Sequence, residues 1–485
     1  MRSRWLALYV LCSGMLMIVL DATVVNVALP SIQNDLGFSS ANLAWVVNAY
    51  LIAFGGLLLL AGRIGDMFGR RRVFLIGLVV FTAASLACGL AQNEWMLVAA
   101  RFVQGAGGAL TSSVILGMIV TMFAEPKEQA KAIGVYAFVA SAGGAVGLIA
   151  GGLLTQWVSW HWIFFVNVPI GIAAVVVSRR LLDADGELPE REPADVLGAV
   201  LITSALMLGV YTIVEPASTD GWLAGATLGC GAAALALLAA FVWREQSTRH
   251  PLMALRILRS RNVSGSNAIQ VVGAAGMFGS FFLGALYLQR VLGYDPLKIG
   301  LSFLPVTVLM GVISVRYSER LVSRFGARQV LIPGLVLITA GLAFFATAPA
   351  DGSYGVNLLP AMVLMGSGAG LCFPPLMGLA MSGASPADAG LASGLINTTG
   401  QVGGAIGLAV LATVSSARTE TLRNAGRSTA EALTGGYHLA FWIAAALTSI
   451  AVVVGLLVLR EPATPESVGA DGGFEAVDDC VPDLA

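Results

Sequence analysis

The sequence predicts an all-α polytopic membrane protein, and three observations carry that prediction. Of its 485 residues, 57% are hydrophobic and only 11% charged, against about 25% charged in soluble domains, and the mean hydropathy is +0.83. The apolar residues gather into fourteen long runs, each near the roughly 20 residues a helix needs to cross a bilayer. None shows the ten-residue alternation of a membrane barrel, so the backbone must close its hydrogen bonds within helices.

The first six runs are 5–28, 43–62, 73–92, 96–121, 132–155 and 161–178. Two more, 196–215 and 223–243, precede a last six at 263–291, 299–316, 329–348, 356–379, 389–415 and 437–459. The first is too long for a cleaved leader and carries Asp21, so it is expected to stay as a helix. Between the second and third lies Gly62-Arg63-Ile64-Gly65-Asp66-Met67-Phe68-Gly69-Arg70-Arg71-Arg72. Its glycines let two helices turn within a few residues, and its arginines mark a cytoplasmic loop. A plain connection has no need of Asp66.

The loop after the tenth run, Glu319 to Arg328, echoes this one, with Gly326 in register with Gly69 and Ser323 with Asp66. The repeat falls into place if the seventh and eighth runs are an insertion, giving two six-helix bundles plus two inserted helices. Transporters are commonly built from such repeats, with the substrate site near the midplane. The expected segments are an N-terminal bundle (1–178), the inserted helices with their loops (179–250), a surface linker (251–262), a C-terminal bundle (263–460) and a tail (461–485). In the linker, Leu252, Leu255 and Leu258 stand beside Arg256 and Arg259, the pattern of an amphipathic helix on the inner leaflet. The tail holds seven acids and no bases, so disorder is expected. Residues 416–436 are expected to form the one sizeable outer loop.

Orientation follows from charge. With the amino terminus inside, 21 of the 27 Lys and Arg fall in cytoplasmic segments and four outside, so both termini are expected to be cytoplasmic, in a multi-pass protein of the cell membrane. Cys12, Cys88, Cys230, Cys372 and Cys480 show no C-x-x-C spacing, and His161, His250 and His438 are scattered. No metal site, cofactor or histidine relay is expected, nor an enzyme. Net charge is −1 and no G-x-x-x-x-G-K-[ST] motif occurs, so neither nucleic acid nor ATP is an expected partner and energy must come from an ion gradient.

Asp21 is the central candidate residue. An ionisable group inside a membrane helix is expensive, about 3 kcal/mol by insertion scales, and marks a pathway, a proton relay or a pair. It lies about 10 Å below the outer end of its helix, and Arg101 in the fourth run about 8 Å below the same face. The two thus share a depth. They are expected to face one cavity, where protonation of Asp21 or arrival of a cationic substrate loosens them; a static structural pair is the alternative.

Gly143, Gly147 and Gly151 recur every four residues in the fifth run, beside Gly144 and Gly152, and make a groove for a close neighbour. Gly390, Gly394, Gly400, Gly403, Gly404 and Gly407 repeat the idea in the thirteenth, interleaved with Asn397 and Gln401. Pro374 and Pro375 should kink the twelfth. Asn26, Trp45, Asn48, Tyr50, Gln104, Asn267, Gln270, Tyr287, Gln289, Asn397 and Gln401 are polar or aromatic groups at membrane depth. They could line a weakly polar cavity for amphipathic molecules; packing and interfacial anchoring are the alternatives.

At these residues the chain resembles the major facilitator superfamily, and within it the fourteen-helix drug:proton antiporters. The pattern L-D-x-T-V-V-N-V-A-L-P is met from Leu20 to Pro30, the inner-loop pattern at Gly62, Asp66, Gly69, Arg70 and Arg71, and R-x-x-Q-G at Arg101, Gln104 and Gly105. Trp45 to Tyr50, Trp162 to Gly171 and Leu286 to Gln289 are also family-like. Three positions depart: Leu148 stands where the antiporter pattern G-x-x-x-G-P-x-x-G-G has proline, His161 where arginine is usual in W-R-W, and Gly400 where arginine often precedes Gln401. The resemblance implies the major facilitator fold working by alternating access, with Asp21 and Arg101 coupling protons to a small hydrophobic or cationic drug. It implies that Asp66 and its arginines steady one closed state. Import or export of one metabolite by the same fold, and a transport-dead sensor or scaffold, remain alternatives.

Overall fold

Each apolar run lies in helical structure in the computed structural model, which describes residues 2–39, 42–123, 125–182, 195–214, 216, 221–249, 251–252, 255–382 and 389–461. The first half comprises α1 (Arg2–Leu36), α2 (Trp45–Phe68), α3 (Arg70–Gly89), α4 (Glu94–Met122), α5 (Pro126–Trp157), the single turn α6 (Trp162–Phe165) and α7 (Asn167–Leu181). The inserted pair is α8 (Val196–Val214) and α9 (Gly225–Ser247). The second half comprises α10 (Arg261–Arg290), α11 (Pro296–Ile313), α12 (Glu319–Phe325), α13 (Ala327–Phe345), α14 (Leu359–Ser382), α15 (Ala389–Asn424) and α16 (Thr429–Leu457). Among the described residues, thirteen helical stretches are long and apolar enough to cross a membrane, and the remaining predicted run, 132–155, lies in α5, which has 32 residues. No strand occurs among the described residues.

Packing repeats between the halves. In the first, α3 and α2 both lie on α4, and α1 on α5 and α7; in the second, α13 lies on α14, α10 on α15 and α16, and α11 on α14. The halves meet along two seams, α2 with α15 and α5 with α11. The inserted α8 leans on both sides of the first seam: Thr203 sits against Gly56 of α2, and Thr413 of α15 donates to the Ile213 carbonyl at 3.3 Å. We call the side with the Gly69 and Gly326 loops the basic face and the other the far face.

The repeat of the two loops is visible in the backbone. Gly69 and Gly326 have φ of +99° and +91°, a region that suits glycine because it lacks a Cβ. Arg70 donates to the Gly117 carbonyl at 3.1 Å and Arg71 to that of Arg179 at 2.8 Å, so this loop ties the basic-face ends of α4 and α7. The side chain of Asp66 lies outside the described residues.

Three expectations are corrected. The linker is not an amphipathic α-helix on the leaflet: Leu255–Arg259 forms a short 3₁₀ turn. Two of its apolar side chains, Leu252 and Ile257, enter the protein. Leu252 packs with Leu60, Ala199 and Phe241, while Ile257 packs with Val263, Ala392 and Leu395, and Glu245 accepts the Leu252 N–H at 3.4 Å. Residues 416–436 are not a loop, because α15 continues to Asn424 and α16 starts at Thr429. Gly426 turns the chain with φ of +80°, and Ser428 and Glu431 form a capping box that starts α16, satisfying backbone donors that would otherwise be orphaned. After α11, a π turn at Ser314–Ser318 carries the helix on into α12, where the sequence suggested a loop. The tail expected to be disordered lies outside the described residues beyond Glu461.

Candidate functional site

Five helices of the first half converge on one buried polar cluster. Asp21 of α1 and Arg101 of α4 are each 1% exposed and meet at 2.5 Å between Oδ2 and Nη1. The same Nη1 donates to Gln104 Oε1 at 2.7 Å, and Arg101 Nε donates to the Val46 carbonyl of α2 at 2.9 Å. The guanidinium carbon lies 4.4 Å from the centre of the Tyr50 ring, a face that attracts a cation. The other carboxylate oxygen, Oδ1, accepts from Gln104 Nε2 at 2.7 Å and from Asn167 Nδ2 of α7 at 3.3 Å. From α3, Ser85 accepts from Asn167 at 3.1 Å and donates to the Phe164 carbonyl at 2.9 Å, and Cys88 donates to Gln104 Oε1 at 3.5 Å.

Local sequence explains the convergence. Gly105 packs against the Tyr50 carbonyl so closely that a Cβ there would collide with it, and this absence of a side chain lets α4 approach α2 until Arg101 reaches Val46. Gly147 abuts Thr23, and Gly151 brings α5 to the backbone of Val24, so α1 is clasped where it carries Asp21. Phe164, fully buried, covers Arg101 from the far face, its ring centre 5.8 Å from the guanidinium carbon. A pair so enclosed is held by geometry: removing either partner strands a charge, at about 3–5 kcal/mol.

The other candidate residues scatter. Gln104 joins the ion pair, and Tyr50 lies beneath it. Asn48 is fully buried with neither amide atom partnered among the described residues. Asn26 bonds its own helix at Ala22, and Trp45 is packed in the core. In the second half, Asn267 donates to Val263 and accepts from Thr399 at 2.8 Å. Gln270 packs on Gly400, and Gln401 on Gly55 at the α2–α15 seam. Tyr287 donates to the Pro349 carbonyl at 2.6 Å near the far face, away from the ion pair. Gln289 is half-buried and Asn397 exposed. Gly143, Gly147 and Gly151 face α1, while Gly152 faces Leu297 of α11.

Two features escaped the sequence reading. Arg290 of α10 donates to Gln33 of α1, a polar contact between the halves at the far face. Beside it, a cavity of about 390 Å³ opens among α10, α15 and α16, lined by Leu286, Arg290, Ser415, Thr419, Arg423 and Tyr437. At the other seam, α5 and α11 touch at Gly152 against Leu297 and at Leu148, whose carbonyl meets Gly300. His161, in the turn before α6, stacks on Trp160 at 3.7 Å between ring centres and shares a proton with Ser159 at 2.7 Å. Partial burial lowers its pKa from the usual value.

Two packed helical halves, the first with a charge pair buried in its core, make up this membrane protein. Residues 11–408 match the family model for the Major Facilitator Superfamily, and the chain belongs to that superfamily. It is 38% identical to the puromycin resistance protein of Streptomyces alboniger, covering 94% of this chain and 90% of that one. It is 38% identical to the cephamycin export protein of Amycolatopsis lactamdurans, covering 95% and 94%. The lincomycin resistance protein of Streptomyces lincolnensis is 37% identical over 85% of each. Among solved structures, a bacterial homologue of the human lysosomal transporter Spinster, inward-facing and unoccupied, shares the fold with a TM-score of 0.67 at 17% identity, covering 95% of this chain and 99% of that one.

Proposed function

We propose that this protein exports hydrophobic or amphipathic drugs, antibiotics among them, across the cytoplasmic membrane in exchange for protons. The observation that carries the reading is the Asp21–Arg101 pair, sealed at 1% exposure inside a helix bundle where an ionisable group has no structural necessity. Antibiotic resistance and export among relatives covering most of the chain support the substrate class. In this reading the basic face is cytoplasmic, with both termini, and the far-face contacts Gln33–Arg290 and Gly152–Leu297 belong to the state closed to the outside. Protonation of Asp21 releases Arg101, frees α1 from α4 and lets the halves rock about their seams. One entering proton gains about 1.4 kcal/mol per pH unit, and a net charge about 2.3 kcal/mol per 100 mV. Export of a neutral drug draws on both.

The test is uptake of a fluorescent lipophilic cation into inside-out vesicles, with and without an imposed proton gradient, beside Asp21→Asn. Gradient-driven uptake abolished in the variant supports antiport at Asp21; uptake indifferent to the gradient overturns it.

A further inference from the structure

Asn167 opens α7, 1% exposed, carried onto the ion pair by the single turn of α6. Its nitrogen donates both to Asp21 Oδ1 and to Ser85 Oγ. The Ser85 proton is committed to the Phe164 carbonyl, so toward Asn167 this hydroxyl accepts. That fixed direction aims the NH₂ group at the carboxylate. It leaves Asn167 Oδ1 buried with no partner among the described residues, where native buried acceptors are nearly always satisfied.

Among the described residues, every side chain that bonds Asp21 is a donor: Arg101, Gln104 and Asn167. The shell is complete for an ionised carboxylate. A protonated carboxyl needs the opposite, an acceptor for its O–H. Gln104 Oε1 is already taken by Arg101 and Cys88. Asn167 Oδ1 is unoccupied, and it belongs to the same small amide as the nitrogen 3.3 Å from Asp21. The ionisable groups facing Asp21 are Arg101 from α4, the Tyr50 phenol from α2 and the Cys88 thiol from α3; α5 presents Gly147 and Gly151 to α1.

We propose that Asn167 is the positioning residue for the coupling proton: it donates to Asp21 when the acid is ionised and, by turning its amide, accepts the Asp21 O–H when the acid is protonated. The inference rests on Asp21 being the coupling site. In the step, hydronium gives up a proton and leaves as water, an O–H bond forms on the Asp21 carboxylate, the charge-assisted contact to Arg101 is lost, and the new O–H donates to Asn167 Oδ1. An amide can serve both forms because it carries a donor and an acceptor on one carbon. A leucine of similar size serves neither.

Infrared difference spectroscopy of the full-length protein in lipid, titrated with acid, needs no knowledge of the substrate. The carboxyl band of Asp21 is the one lost in Asp21→Asn. In Asn167→Leu this band is expected at higher frequency, its O–H having lost the acceptor, with its titration midpoint displaced. Ser85→Ala releases the amide from its fixed direction, and the midpoint is expected to rise by about one pH unit at unchanged frequency. An Asn167→Leu band at the wild-type frequency overturns the role. If that variant does not accumulate in membranes, Ser85→Ala decides, and an unmoved midpoint overturns it. A spectrum with no band lost in Asp21→Asn shows that Asp21 does not titrate, and removes the coupling reading itself.

Discussion

Arg71 and Arg328 are counterparts, each two residues past a positive-φ glycine and each donating to the terminal carbonyls of the last helix in its half. Arg71 bonds Arg179 of α7 at 2.8 Å; Arg328 bonds Gly455 of α16 at 3.2 Å and Leu456 at 2.5 Å. A cation there completes carbonyls that the helix leaves open and meets the negative end of its dipole. The second half adds Glu461, which accepts from the Ala327 and Arg328 N–H groups at the start of α13.

Replacing either arginine with alanine is expected to lower the thermal unfolding midpoint in detergent, by about 1 kcal/mol of stability for each, because these contacts are near solvent. Equal midpoints for all three proteins would show that the caps are dispensable.

Arg101→Lys keeps the charge and is still expected to abolish transport, with initial rates at least about tenfold down. A lysine has one nitrogen where the guanidinium reaches Asp21, Gln104 and Val46 from two, and it lacks the flat face that lies over Tyr50. Vesicle uptake rates at equal membrane expression measure this; a variant with wild-type rates would reduce the cluster to a point charge.

Two far-face contacts between the halves can be altered singly. Gly152→Ile would drive a side chain into the backbone at Leu297, where a Cβ already falls 2.7 Å from Cα, and Arg290→Ala removes the bond to Gln33. Both are expected to speed labelling of a cysteine placed at Leu297 by a membrane-impermeant maleimide added on the far side. Labelling at the parent rate in both would exclude this seam as a gate.

His161 supplies a small pH effect. Its folded pKa is lowered by burial, so the folded state binds the proton less well than the unfolded chain. Its contribution is therefore intact above the usual histidine pKa of about 6.5 and is lost as pH falls through that value toward the lower folded one. His161→Phe is expected to flatten the fall in thermal midpoint between pH 7.5 and 5.5 relative to the parent, as read by thermal unfolding at each pH.

The helix count and the Asp21–Arg101 neighbourhood were legible because a bilayer makes apolar length and intramembrane charge conspicuous. Asn167 and Ser85 were not: a single neutral polar residue in an apolar helix is common, and only the convergence of α1, α3 and α7 gives these two partners. The linker misled for a related reason. Its leucines and arginines fit a surface helix, yet Ile257 finds its place against Ala392 and Leu395, a groove that no local period records. Hydropathy ended the thirteenth span too early because the last turns of α15 are polar. Ser428-Thr429-Ala430-Glu431 did carry the capping signal, and reading it would have started α16 correctly.

The buried ends of that linker act as a leash. Leu252 is seated between α2 and the inserted pair, Ile257 between α10 and α15, so one short piece of chain is anchored in both halves at the basic face. Five residues pulled straight reach about 17 Å at most. While both anchors hold, the two halves can part on that side no further than this span allows. The width of any opening on the basic face is thus bounded by chain length as well as by the shape of the walls.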